Sequence, residues 1–270
     1  MQIILPKAFT AEYQDVLTRY LVDDRLLNPA EWRLLYQGID ILNTARIQTD
    51  AGAETFRQAY HHQIDAGFAT PYLERLLALE DVETQSPALI AEFARRIAPH
   101  LQQAGLLRPD VPSSRLLYVY CIYWWQSFAR GYAFEVQIVR DLQASGIEFY
   151  SHDVRDPVER RSVADLVVLN LMGDVKTSTY FLKLAASHGL PNDFYVTRIW
   201  TGRRHRPLVV FQKPAAWKKI NGDTVEGELS DLLHLLPRPV KLQRGDVTLI
   251  AIDYAAWKQR VLQVQQEESE

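Results

Sequence analysis
The chain has 270 residues, 47% of them hydrophobic, enough for one large domain or two smaller ones. Its single cysteine, Cys121, sits inside an apolar run, which excludes a disulfide framework and a zinc site built mainly from cysteines. The N-terminus MQIILPKAFTAEY lacks the charged start and long apolar stretch of a signal peptide, and the longest apolar run, Leu116–Trp125, is too short to span a bilayer. The expectation is a cytoplasmic protein with no membrane partner. The net charge of −3 argues mildly against a nucleic-acid partner, but the charge is unevenly spread. Residues 1–112 carry 10 basic and 15 acidic side chains, residues 221–270 carry 5 and 9, and residues 140–220 carry 13 and 8, a local +5 (13 minus 8). A local basic patch is what phosphate binding needs, whatever the total.

Residues 1–112 read as an all-helical region. Asn28-Pro29, Thr70-Pro71 and Ser86-Pro87 each pair a capping residue with a proline at a first helical position, and Glu31 completes a capping box after Asn28. Apolar residues at three- and four-residue spacing follow each one. A further helix is expected over 53–67, ending at Gly67. His61 and His62 are adjacent, so a helix points them about 100° apart and they do not chelate together. This region carries no catalytic motif and is expected to serve packing, substrate positioning or a protein partner. The polar, proline-bearing stretch 108–114 marks the boundary, giving domains 1–112 and 113–270.

A long helix is expected from Arg115 to about Ala144, broken or bent near Gly131. Its aromatic first part (Tyr118, Tyr120, Tyr123, Trp124 and Trp125) reads as core rather than as a base-stacking platform. Its second part has an apolar stripe of Phe134, Ile138, Val139 and Leu142 with Glu135 beside it. A strand follows over 147–152, then a charged loop over 155–161.

The chemistry concentrates in DLVVLNLMGDVK, residues 165–176. Two β-rich runs meet at Met172-Gly173, where a tight turn is expected. Asp174 and Lys176 are two apart, so a strand puts both on one face, and Asp165 lies beside them if the runs pair. Two close carboxylates repel, and a divalent cation with oxygen preference, Mg²⁺ or Mn²⁺, relieves that repulsion. Beyond lie a helix over 180–188, strands over 194–201 and 208–213, polar turns at 218–223, a last strand over 246–254 and a C-terminal helix over 255–266. The loop between the 194–201 and 208–213 strands carries Arg203, Arg204 and Arg206, a residue set suited to phosphates.

The order of helix with Glu135, strand, strand with Asp165, strand with Asp174 and Lys176, helix, strand resembles the PD-(D/E)XK nuclease superfamily. GYAFEVQIVRDLQASG resembles its opening helix, and Asp174-Val175-Lys176 its D-x-K. The resemblance covers roughly residues 130–215. It implies a restriction-endonuclease-like α+β or α/β fold, a mixed sheet flanked by helices, preceded here by the all-helical region. It implies Asp165, Asp174 and the Val175 carbonyl as metal ligands, Lys176 at the attacking water, and Glu135 in support. Ala164 stands where the family often has proline before its first Asp, and the Asp165–Asp174 gap is short. The expected activity is metal-dependent hydrolysis of phosphodiester bonds, with DNA as the expected substrate. Arg155, Arg160, Arg161, Arg203, Arg204 and Arg206 would hold the backbone. The alternative is a catalytically silent nucleic-acid- or protein-binding module of the same fold. Cutting both strands of a duplex often calls for two sites, which a homodimer would supply.

Overall fold
The computed structural model describes residues 1–23, 27–50, 52–156, 158–177, 190–201, 205–220, 222–228, 231–244 and 246–269, with the backbone alone at 161, 214 and 244. The chain forms two compact units, Met1–Arg130 and Gly131–Glu270. The break falls inside a helix rather than at the polar 108–114 loop.

The first unit is not all-helical. Strands β1 (Gln2–Ile4), β2 (Arg46–Thr49) and β3 (Gly52–Thr55) make a small antiparallel sheet in the order β1-β2-β3. Ile3 and Ile47 face each other across the first pair, a contact that a helical reading of short segments overlooks. Helix α1 spans Ala11–Val22 and α2 spans Pro29–Leu42. The Asn28–Glu31 capping box at the start of α2 is present as expected. The other two proline starts are not helix starts. Thr55 and Gln58 form a capping box for α3 (Phe56–Tyr60), which runs through a π-helical turn, His61–Asp65, into α4 (Ala66–Leu77). Pro71 therefore lies inside a helix, and Gly67 does not end one. Helix α5 (Val82–Gln103) is capped by Asp81, whose carboxylate accepts from the Thr84 N–H, so Pro87 is also internal. An aspartate cap five residues upstream outcompetes the Ser-Pro signal.

Helix α6 runs unbroken through Gly131, from Ser114 to Ala144. Its first half belongs to the first unit. Trp125 stacks on Phe93 with ring centroids 5.6 Å apart and meets the edge of Tyr72 at 5.1 Å. The Tyr72 hydroxyl donates to the Ala129 carbonyl at 2.8 Å. Tyr120 and Trp125 of the aromatic run are buried core, while Tyr118, Tyr123 and Trp124 are partly exposed.

The second unit is a mixed eight-stranded sheet with helices. Its strands are β4 (Phe149–Ser151), β5 (Leu166–Val168), β6 (Leu171–Lys176), β7 (Phe194–Trp200), β8 (His205–Phe211), β9 (Val225–Glu226), β10 (Val240–Arg244) and β11 (Val247–Asp253), in the order β4-β5-β6-β7-β8-β11-β10-β9. Among the described residues, only β6–β7 and β9–β10 pair in parallel. Helices α7 (Pro214–Ile220), α8 (Leu232–Leu235) and α9 (Tyr254–Ser269) complete the unit. Sequence patterning leaves α8, β9 and β10 unassigned, and Lys218 and Lys219, expected in a polar turn, lie in helix α7 instead. Alternation along β8 sends Val209 and Phe211 to a core shared with Phe134, Ile138 and Leu142 of α6 and Trp257 of α9. Leu208 and Val210 go to a second core with Tyr195, Leu242 and Leu249. The helix expected over 180–188 lies outside the described residues. Among the described residues, no helix is long and apolar enough to cross a membrane.

The β5–β6 turn corrects the sequence expectation. Val168 pairs with Leu171, so the two-residue turn is Leu169-Asn170, not Met172-Gly173. Both residues sit in left-handed backbone, at φ 52° and 56°. That is the geometry a tight hairpin twist demands. Gly173 is needed for a different reason. A Cβ there would lie 2.2 Å from the Phe194 ring, so the glycine lets β7 pack against β6.

Candidate metal centre
The sheet register brings the chemistry together. Ser151 pairs with Leu166, and Leu166 pairs with Gly173. One step further along each strand, His152 comes opposite Asp165 and Asp165 opposite Asp174. Three neighbouring strands thus place His152, Asp165 and Asp174 in a row. Lys176 follows two residues after Asp174 on β6, and Glu135 arrives from α6.

At this row β5 and β6 part. The Asp165 N–H still donates to the Gly173 carbonyl at 3.0 Å. The next rung is made by a side chain, with the Val175 N–H donating to Asp165 Oδ2 at 2.7 Å. A strand residue presents its N–H and C=O to the same side, which turns the Val175 carbonyl toward Asp165 as well. The start of β6 is held by Asp193, whose carboxylate accepts from the Met172 N–H at 2.9 Å while its own N–H donates to the Met172 carbonyl at 2.8 Å.

Asp174 is buried, and Lys176 Nζ donates to its Oδ1 at 2.7 Å. Burial, together with the nearby Asp165 carboxylate, holds Asp174 well above the usual carboxylate range, and the Lys176 ammonium only partly offsets this. The lysine is itself half exposed, so its charge reaches solvent and any anion arriving there.

His152 is a functional candidate that sequence reasoning missed. Its side chain is 4% exposed, with Nε2 at 3.1 Å from Glu135 Oε1 and Nδ1 at 3.9 Å from Asp165 Oδ1. The approach to Glu135 is close but lacks the alignment of a hydrogen bond, and both ring nitrogens are buried without a hydrogen-bond partner. The neighbouring Glu135 carboxylate pulls the imidazole toward its protonated form and raises its pKa, with burial opposing. One ligand atom from each of Glu135, His152 and Asp165 lies within 4.8 Å of the others. Ligands bound about 2.1 Å from one ion stand roughly 3–4.2 Å apart, so a small inward shift would let the three share a cation. A cluster of two buried or half-buried carboxylates and an orphaned imidazole fits such an ion chemically. The signal in the sequence was the histidine closing the strand before Asp165, but it acquires meaning only once β4 and β5 are paired.

The arginines expected to hold phosphates are less uniform. Arg155 is exposed and forks onto Asp153, with Nη2 at 2.7 Å from Oδ2. Arg206, expected in the loop, lies on β8 itself, opposite Ile199, and donates through Nε to Asp253 at 2.8 Å. Arg160 is half-buried in the 3₁₀ turn Glu159–Arg161. Arg203 and Arg204 lie outside the described residues, as does the side chain of Arg161. None of the described ones is brought into the carboxylate cluster.

Comparison of the chain with protein-family models, with curated proteins and with solved structures finds no match.

Proposed function
We propose that the second unit is a metal-dependent nuclease of the PD-(D/E)XK type, with a restriction-endonuclease-like core, hydrolysing phosphodiester bonds in DNA. The observation that carries this reading is the parting of β5 and β6 at Asp165 and Asp174, with Lys176 on the same strand. Asp165, Asp174 and the Val175 carbonyl would hold Mg²⁺ or Mn²⁺. When bound, such an ion supplies Lewis-acid activation of water and neutralises phosphate charge.

Hydrolysis joins a water oxygen to phosphorus, breaks one ester P–O bond and leaves a proton for the departing oxygen. Negative charge builds on the phosphate meanwhile. Lys176, on the strand that carries Asp174, would meet that charge, and its ammonium can leave Asp174 for the phosphate without losing a countercharge. Arg155 and Arg206 retain N–H groups beyond those committed to Asp153 and Asp253, which leaves them able to touch backbone phosphates.

The test is nicking of supercoiled plasmid with and without Mg²⁺ or Mn²⁺, beside a Lys176→Ala variant. Metal-dependent nicking that falls by about a hundredfold or more in the variant supports the reading. Absence of nicking by the natural chain in either metal overturns it.

A further inference from the structure
We propose that Glu135, His152 and Asp165 bind a first-row transition ion of the Mn²⁺ class in preference to Mg²⁺, with an imidazole nitrogen of His152 as a ligand. The inference deepens the reading of this cluster as a metal centre and rests on it.

Three observations carry it. First, the imidazole is enclosed and neither nitrogen has an aligned hydrogen bond, its nearest polar neighbour being the Glu135 carboxylate at 3.1 Å, so a shared ion would serve both groups better than their direct approach does. Second, its neighbours are hard anionic oxygens, Glu135 Oε1 at 3.1 Å and Asp165 Oδ1 at 3.9 Å, and both spacings suit donors around one small ion. Third, Asp165 divides its work. Its Oδ2 is committed to the Val175 N–H, while Oδ1 is the oxygen that faces the imidazole. The strand hydrogen bond thus orients the free oxygen toward the histidine.

The donor set decides the metal. Mg²⁺ takes oxygen ligands and gives up water reluctantly, so an imidazole adds little to its binding. Imidazole favours the later first-row ions most, and Mn²⁺, the first of that series and itself at home among oxygens, accepts a nitrogen donor more readily than Mg²⁺ does. A buried ion pair that only anchored the end of β4 would show no such preference and no bond from nitrogen to metal.

The experiment uses the full chain, with Mn²⁺ as the probe. Mn²⁺ uptake is followed by loss of the free-ion electron-paramagnetic-resonance signal and displaced with Mg²⁺, and the bound ion is examined for hyperfine modulation from a coordinated nitrogen. The expected result is nitrogen modulation in the natural chain, and its loss in His152→Ala together with about tenfold or greater weakening of Mn²⁺ binding and little change for Mg²⁺. Should His152→Ala fail to fold by circular dichroism, His152→Asn gives the same comparison with a smaller change of volume. No Mn²⁺ uptake, bound Mn²⁺ without nitrogen modulation, or modulation that survives both substitutions would overturn the inference. Nicking in Mg²⁺ without a nitrogen-ligated ion would sink this inference alone. A nitrogen-ligated ion without nicking would sink only the nuclease reading.

Discussion
Asp174 occupies an unfavourable place for a carboxylate. It is buried, it faces Asp165, and it carries a raised pKa for those reasons. A carboxyl that holds its proton more tightly folded than unfolded makes the folded state bind more protons, so its contribution to stability falls as pH rises past the unfolded value. Asp174→Asn keeps an oxygen for the Lys176 ammonium and removes the repulsion. In chelator at pH 8 the variant should therefore be more stable than the natural chain by about 1 kcal/mol, with the gain fading toward pH 4. Thermal unfolding at the two pH values checks this. The same variant should lose nicking while retaining DNA in a binding assay, and equal loss of both would remove Asp174 from the chemistry. The Asp-x-Lys spacing made Asp174 and Lys176 readable from the sequence, because period two is a local property of a strand. His152 was not readable in that way. Its partners lie 13 and 17 residues away in sequence (165 minus 152, and 152 minus 135); the pairing of β4 with β5 brings up Asp165, and α6 brings up Glu135.

Among the elements, the β5–β6 hairpin sets the spacing of the two aspartates. Its turn was misplaced by the usual preference for glycine, because Leu169-Asn170 adopts left-handed backbone without one. Asn tolerates that region and alanine does not, so Asn170→Ala should cost about 1 kcal/mol in urea unfolding while Asn170→Gly costs nothing or stabilises. Gly173 answers to packing instead. Gly173→Ala would drive a methyl into the Phe194 ring, where the gap is 2.2 Å, and should destabilise by about 1–3 kcal/mol. Such a push would also shift the strand that carries Asp174, so nicking should fall more steeply than stability does. In the first unit, the capping box at Asn28 was legible, whereas the Thr-Pro and Ser-Pro signals were overridden. Thr55 and Asp81 begin those helices earlier, and the continuous backbone then carries the prolines inside.

For the molecule as a whole, the polar 108–114 loop is a conspicuous boundary in the sequence but a poor place to divide the chain. The first half of α6 finds its packing partners upstream of that loop, through Phe93 and Tyr72 against Trp125. A fragment starting at residue 113 would expose Leu117, Tyr120 and Trp125, all buried in the intact chain, and should aggregate in sedimentation. A fragment starting at residue 131 leaves that surface behind and should remain dispersed more readily. The large sheet, by contrast, ends cautiously. Among the described residues its outermost strands are β4, of three residues, and β9, of two. So little edge offers scant purchase for a strand of another molecule. Growth of one sheet into the next, whether as an orderly pair or as a fibre, is disfavoured. Under the nuclease reading proposed above, two copies gathered on a duplex would meet through side chains or through the nucleic acid between them.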